Sequence, residues 1–186
     1  MPNIQAAYRR VLPWFLPGLV VFVVLGALFA RPVGRVFRAP AWLGFALIVS
    51  FGIIISATLT PLHGEFNFAA VGGTCDLSRI GLAPLREVLR IGDRSLNIAM
   101  FMPFGLVIGL LARSRRKALL VIGAIALPVA IETTQLLVPA LERGCQSADV
   151  IDNLSGLALG LLIGSGIGRW LGFGDGDAGS APVHPA

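Results

Sequence analysis

The groups that could do chemistry in this 186-residue chain are gathered in one stretch, 128–153. It reads P-V-A-I-E-T-T-Q-L-L-V-P and then A-L-E-R-G-C-Q-S-A-D-V-I-D-N. Glu132 and Gln135 are three residues apart, so on a helix they share a face. Asp149, Asp152 and Asn153 are at helical spacing too, and Arg143 lies between the two sets. Either Glu132 or Asp152 could serve as a general base. Arg143 could bind phosphate, and the carboxylates could hold a divalent cation or a ligand's hydroxyls. Asn97 joins Gln135, Arg143, Asp149 and Asn153 as a candidate ligand-binding group. Each residue also has a plainer reading. Asp149 could cap the helix that follows, and Asp152, one turn in, would favour the positive end of its dipole. Glu132 could be a buried carboxylate held by Arg143 or Asn97 for structure alone. Three carboxylates and an arginine define no single reaction, so catalysis stays open.

The setting of these groups is a membrane. The chain is 55% hydrophobic and only 13% charged, with mean hydropathy +0.82; soluble domains carry about 25% charged residues. Apolar runs at 14–30, 41–59, 96–111, 118–138 and 154–171 predict an all-α, polytopic transmembrane bundle of about five spans within a single domain, 1–174. The first run could instead be a signal peptide, but the residues near Ala30 offer no clean cleavage site, and a retained helix is the expectation. A basic loop, 31–40, follows it, and Pro61 ends the second run. The longest polar segment, 61–95, includes a candidate amphipathic helix with Leu82, Leu85, Val88 and Leu89 on one face; it would lie at the membrane surface or pack on the protein. Pro103 and Gly105 predict a kink in the third run. The tail, 175–186, has too little apolar surface to fold and is expected to be disordered.

Glu132 therefore falls inside a span. A charge near a bilayer centre costs about 2.5–3.5 kcal/mol on insertion scales, so it must face protein or water. The basic turn Arg113–Lys117 belongs in the cytoplasm by the positive-inside rule. Loops 61–95 and 139–153 then lie outside, and the polar groups converge near the outer face. Arg9 and Arg10 oppose this orientation. The formal net charge of +5 is no nucleic-acid signal, because the basic residues flank spans, where they meet anionic lipid.

Cys75 and Cys145 are the only cysteines. Both fall outside, where an oxidising environment would let them pair; two free thiols are the alternative. Gly156, Gly160, Gly164 and Gly168 form a stripe that lets another helix approach closely. The chain has no P-loop, no H-E-x-x-H and no CxxC, and neither His63 nor His184 has a metal-ligand companion.

Taken together, Leu96-Asn97-Ile98 through Phe101-x-Pro103-Phe104-Gly105, the basic turn, Ile131-Glu132-x-x-Gln135, and Asp149-x-x-Asp152-Asn153-x-x-Gly156-x-x-x-Gly160 resemble the VanZ-like family of bacterial membrane proteins. Thr58-Leu59-Thr60-Pro61 looks like the end of an early span in that family. The likeness covers roughly 41–164; Gly144 interrupts the family's usual arginine–cysteine adjacency. It implies a multi-pass protein of the bacterial cell membrane with an envelope function. The founding member is associated with resistance to teicoplanin-type glycopeptides, and no reaction is established for the family. Two functions compete: binding or modifying a membrane lipid or lipid-linked envelope precursor, or scaffolding other envelope proteins without catalysis. A transporter is disfavoured, because the last helix offers only glycines and Ser165 toward the inner leaflet.

Overall fold

The computed structural model describes residues 13–61, 74–90 and 92–172. The tail 175–186, both histidines, Arg9 and Arg10 lie outside the described residues. The described chain forms helices α1 (Phe15–Phe37), α2 (Ala41–Thr58), α3 (Leu85–Val88), α4 (Asp93–Leu110), α5 (Arg115–Leu137) and α6 (Ser147–Trp170). A 3-10 turn, Pro139–Leu141, follows α5, and the two-residue strands β1 (Cys75–Asp76) and β2 (Cys145–Gln146) pair in parallel. This is the expected all-α bundle. Helices α1, α2, α5 and α6 are each long and apolar enough to cross a membrane. The remaining expected span, 96–111, corresponds to α4, which starts three residues earlier, ends at Leu110 and carries Asp93 and Arg94 in its first turn.

Several boundaries differ from the sequence expectation. Helix α1 runs through Pro32 to Phe37, so Arg31 and Arg35 are helical and the expected loop 31–40 shrinks to the corner after Phe37. A proline forfeits one backbone hydrogen bond, but ending the helix in an apolar environment would orphan several more. Arg38, at φ 52°, closes α1 in the left-handed conformation, and Ala39 N–H donates to Gly34 O. Helix α6 starts at Ser147, seven residues before the expected span. Gln146 is its N-cap, so Asp149 is not the cap but sits in the first turn. The amphipathic helix expected around 82–89 is a single turn, α3.

Packing is set by small residues. Between helices in lipid there is no hydrophobic driving force, so close backbone contact has to hold them together. A Cβ on Gly156, Gly160 or Gly164 of α6 would collide with the carbonyl oxygens of Ile98, Met102 and Leu106 of α4. Both series rise by four residues per step, so α4 and α6 run parallel in a fixed register. Helices α1 and α2 form an antiparallel pair by the same device: a Cβ on Gly44 would meet Ala30 O, and one on Gly52 would meet Phe22. A buried apolar cluster including Leu43, Ile54, Phe101, Phe104, Ile108 and Leu157 joins the two pairs. Helix α5 leans more loosely across them. At Gly123 an added Cβ would meet nothing within 4 Å.

Candidate functional site

Helices α4 and α6 begin, and α2 and α5 end, at the same end of the bundle. The segment 74–90 covers that end and is pinned there. Cys75 and Cys145 form a disulfide across the β1–β2 ladder, with Cα atoms 4.6 Å apart. Ser147 Oγ donates to Arg79 O at 2.8 Å, and Arg79 Nη2 donates to Gln146 Oε1 at 3.2 Å. Asp76 Oδ1 accepts from Ser78 N–H, and the bonds from Ser78 hold its carboxyl below the usual carboxylate range.

Asp152 is fully buried and its partner is Arg94. The guanidinium donates from Nε to Oδ2 at 2.8 Å and from Nη2 to Oδ1 at 3.2 Å, a bidentate pair. Arg94 also donates from Nη1 to Glu87 Oε2 at 3.1 Å and from Nη2 to Gly81 O at 3.3 Å. It thereby ties the covering segment to α6. Because both of its oxygens are held, Asp152 could act as a base only by breaking this pair.

Glu132 is buried at 5% exposure, and its Oε2 accepts from the backbone N–H of Gln146 at 2.8 Å. That places the carboxylate at the amino terminus of α6, where the helix dipole favours a negative charge. It forms neither an ion pair with Arg143 nor a hydrogen bond with Asn97 or residues 149–153. Arg143 instead donates from Nε to Thr60 O and from Nη2 to Ala57 O, at 3.1 and 2.5 Å. Gln135 Nε2 donates to Thr58 O at 2.9 Å. The two side chains together satisfy carbonyls that the end of α2 leaves without helical partners. Burial pushes the Arg143 guanidinium down to about 10, opposed by Glu132 and Asp149, so it stays cationic at neutral pH. Thr133 and Thr134 return their hydroxyls to Val129 O and Ala130 O of their own helix.

Two buried polar atoms among the described residues have no hydrogen-bond partner, the Ser56 hydroxyl of α2 and the Asn153 amide oxygen of α6. Asn153 is 1% exposed and its Oδ1 accepts no hydrogen bond. Asp149 and Asn97 are half-buried. Asp149 lies close enough to Asp152, Asp93, Arg79 and Arg94 to feel their charges. The structure thus brings Glu132, Arg143, Asp149, Asp152 and Asn153 to one end, with Gln135 and Asn97 at its margins. Among the described residues no three His, Cys, Asp or Glu side chains are placed to hold a metal ion together.

Arg94 is the residue that sequence reasoning missed. It falls just before the apolar run and reads as loop. The signal was the helical register: Arg94 is four residues before Ile98, and Asp152 is four before Gly156, so the glycine contacts extended by one step pair them. No curated protein and no solved structure matches the chain. A family model, VanZ/LLP1, matches residues 52–168. That range holds α4, α5, α6 up to Gly168, the disulfide and every side chain of the polar end named above, and by this match over more than half its length the membrane-spanning chain belongs to the VanZ/LLP1 family.

Proposed function

We propose that this end of the bundle faces outward from a bacterial cell membrane and binds the headgroup of a lipid-linked envelope molecule. The observation that carries the reading is the surplus of buried acceptors. Asn153 Oδ1 has no partner, and Glu132 has one hydrogen bond, through Oε2 alone. An unsatisfied buried polar group costs about 1–3 kcal/mol, so a ligand that supplies donors gains that back. The headgroup therefore offers hydroxyl or amino donors. A phosphate alone fits less well, because Arg94 and Arg143 are engaged within the chain. The covering segment supports a ligand that stays in the membrane: Leu77, Ile80, Leu82, Leu85 and Leu89 are all more than 60% exposed and would rest in the lipid interface. If a bond is made or broken there, Glu132 is the better base, since its second oxygen is uncommitted.

The test is the lipid that travels with the protein. Extracts of the purified chain should be enriched, relative to the source membrane, in one lipid-linked species. Glu132→Gln and Asn153→Leu should lose it while keeping the wild-type thermal midpoint. Retention of the same species by both variants refutes the reading. If the species is a cell-wall precursor, expression in a susceptible host should alter sensitivity to teicoplanin-type glycopeptides, and Glu132→Gln should remove the effect. One observation favours the scaffold alternative: Arg94, Arg143 and Gln135 each bind the chain itself. On that reading no lipid species is enriched, and partner proteins still co-purify with Glu132→Gln.

A further inference from the structure

At the other end of the bundle, helix α5 stands away from the two tight helix pairs. It leaves a groove of about 400 Å³. Its walls are Val33 of α1, Leu47 and Phe51 of α2, Phe104 of α4, and Leu120 and Leu127 of α5. The floor contributed by α5 includes Gly123, where a side chain would meet open space. The lining is apolar throughout. Apolar walls on several sides make this groove a seat for a flexible apolar chain, which gains dispersion contacts with each of them.

What stands at its mouth says which chain. Arg116 precedes Leu120, Gly123 and Leu127 at helical spacing, so it lies on the same face of α5, at the groove's end. Its Nη1 donates to Val36 O at 2.6 Å, which fixes the guanidinium between α5 and the end of α1. It has no ion pair among the described residues. No acidic residue among the described ones lies at this end, whereas Arg113, Arg115 and Lys117 are its neighbours. From Arg116 to Leu127 the helix rises about 16 Å, roughly half the hydrocarbon thickness of a bilayer. We infer that this groove holds one acyl chain of an anionic phospholipid from the adjoining leaflet, with its phosphate on the free edge of Arg116. A guanidinium that already makes one hydrogen bond along one edge presents its remaining donors as a fork suited to phosphate oxygens. This site is separate from the headgroup site at the opposite end.

Native mass spectrometry of the purified chain in mild detergent tests it, with dioleoyl phosphatidylglycerol and dioleoyl phosphatidylcholine as probes. The first phosphatidylglycerol should bind several-fold more tightly than phosphatidylcholine. Gly123→Leu should weaken that first adduct about tenfold or more, because the new side chain occupies the groove. It should not lower the thermal midpoint, since leucine is a better helix former than glycine and nothing blocks it. Gly166→Leu, on α6 in open space outside the groove, should leave binding unchanged. Arg116→Gln should bring the two lipids close to equal affinity. Wild-type affinity in Gly123→Leu overturns the inference. So does equal affinity of the wild type for both lipids, or a dimer that lipid disperses, which would place a second copy in the groove.

Discussion

A buried charge in this molecule survives only where a second group meets it, and the Arg94–Asp152 pair shows what that requires. Asp152 has no exposure at all, and both its oxygens accept from one guanidinium. Removing one member of such a pair leaves an uncompensated ion, at about 3–5 kcal/mol, whereas replacing both with apolar groups can be nearly neutral. Arg94→Met should therefore lower the thermal midpoint in detergent sharply, and Arg94→Met combined with Asp152→Leu should recover most of it. If the double variant is as unstable as Arg94→Met, Arg94 holds the fold through Glu87 and Gly81 rather than through the pair. The carboxylates and amides of the site were visible in the sequence, because Glu132, Asp152 and Asn153 interrupt or adjoin apolar runs where polar groups are costly. Their partners were not. Glu132 binds a backbone N–H and Arg143 binds backbone carbonyls, and no residue type announces a backbone partner.

At the scale of elements, cationic side chains close helix ends. Arg116 donates to Val36 O at the end of α1, Arg143 to Ala57 O at the end of α2, and Lys117 Nζ to Gly109 O and Leu111 O at the end of α4. Each offsets both the orphan carbonyls and the negative end of the helix dipole. The basic turn that reads in sequence as an orientation signal is thus also a pair of caps. Helix spans were legible from apolar runs, but their ends were not: hydropathy locates the part of a helix in lipid, while α6 extends beyond lipid to Ser147 and α1 continues past Ala30. The glycine stripe was legible as a contact, without its partner. Its energetics can be tested within one helix. Gly160→Leu must push α4 away from α6, since its Cβ already collides with Met102 O. Overpacking that backbone cannot relieve should cost about 1–3 kcal/mol or more. Gly166→Leu meets nothing within 4 Å and should be neutral or slightly stabilising. Equal midpoints for the two variants would mean that α4 and α6 are not held by close contact.

Across the whole molecule the charges separate. Asp76, Glu87, Asp93, Glu132, Glu142, Asp149 and Asp152, every acid among the described residues, lie at the end covered by the 74–90 segment. Arg31, Arg35, Arg38, Arg113, Arg115, Arg116, Lys117 and Arg169 lie at the opposite end with no acid among them. Counting basic residues alone understates this, because the five at the covered end, Arg79, Arg86, Arg90, Arg94 and Arg143, share it with seven acids, whereas the eight at the opposite end have none. The unmatched end is the one that the positive-inside rule retains in the cytoplasm. The disulfide depends on the same orientation. A Cys75–Cys145 bridge persists outside the reducing cytosol, and its loop closure, with a sequence separation of 70, is worth about 4 kcal/mol in the chain-entropy model. Orientation and bridge therefore stand together and can be measured together. Reporter fusions after Lys117 and after Gly174 should read cytoplasmic. In intact cells an impermeant maleimide should leave both cysteines unlabelled until a reductant is added, and then label both. A fusion after Lys117 that reads external would invert the bundle. It would put the cysteines in the cytosol, where both should be free and out of the reagent's reach, and it would turn the polar end away from any ligand on the outer leaflet.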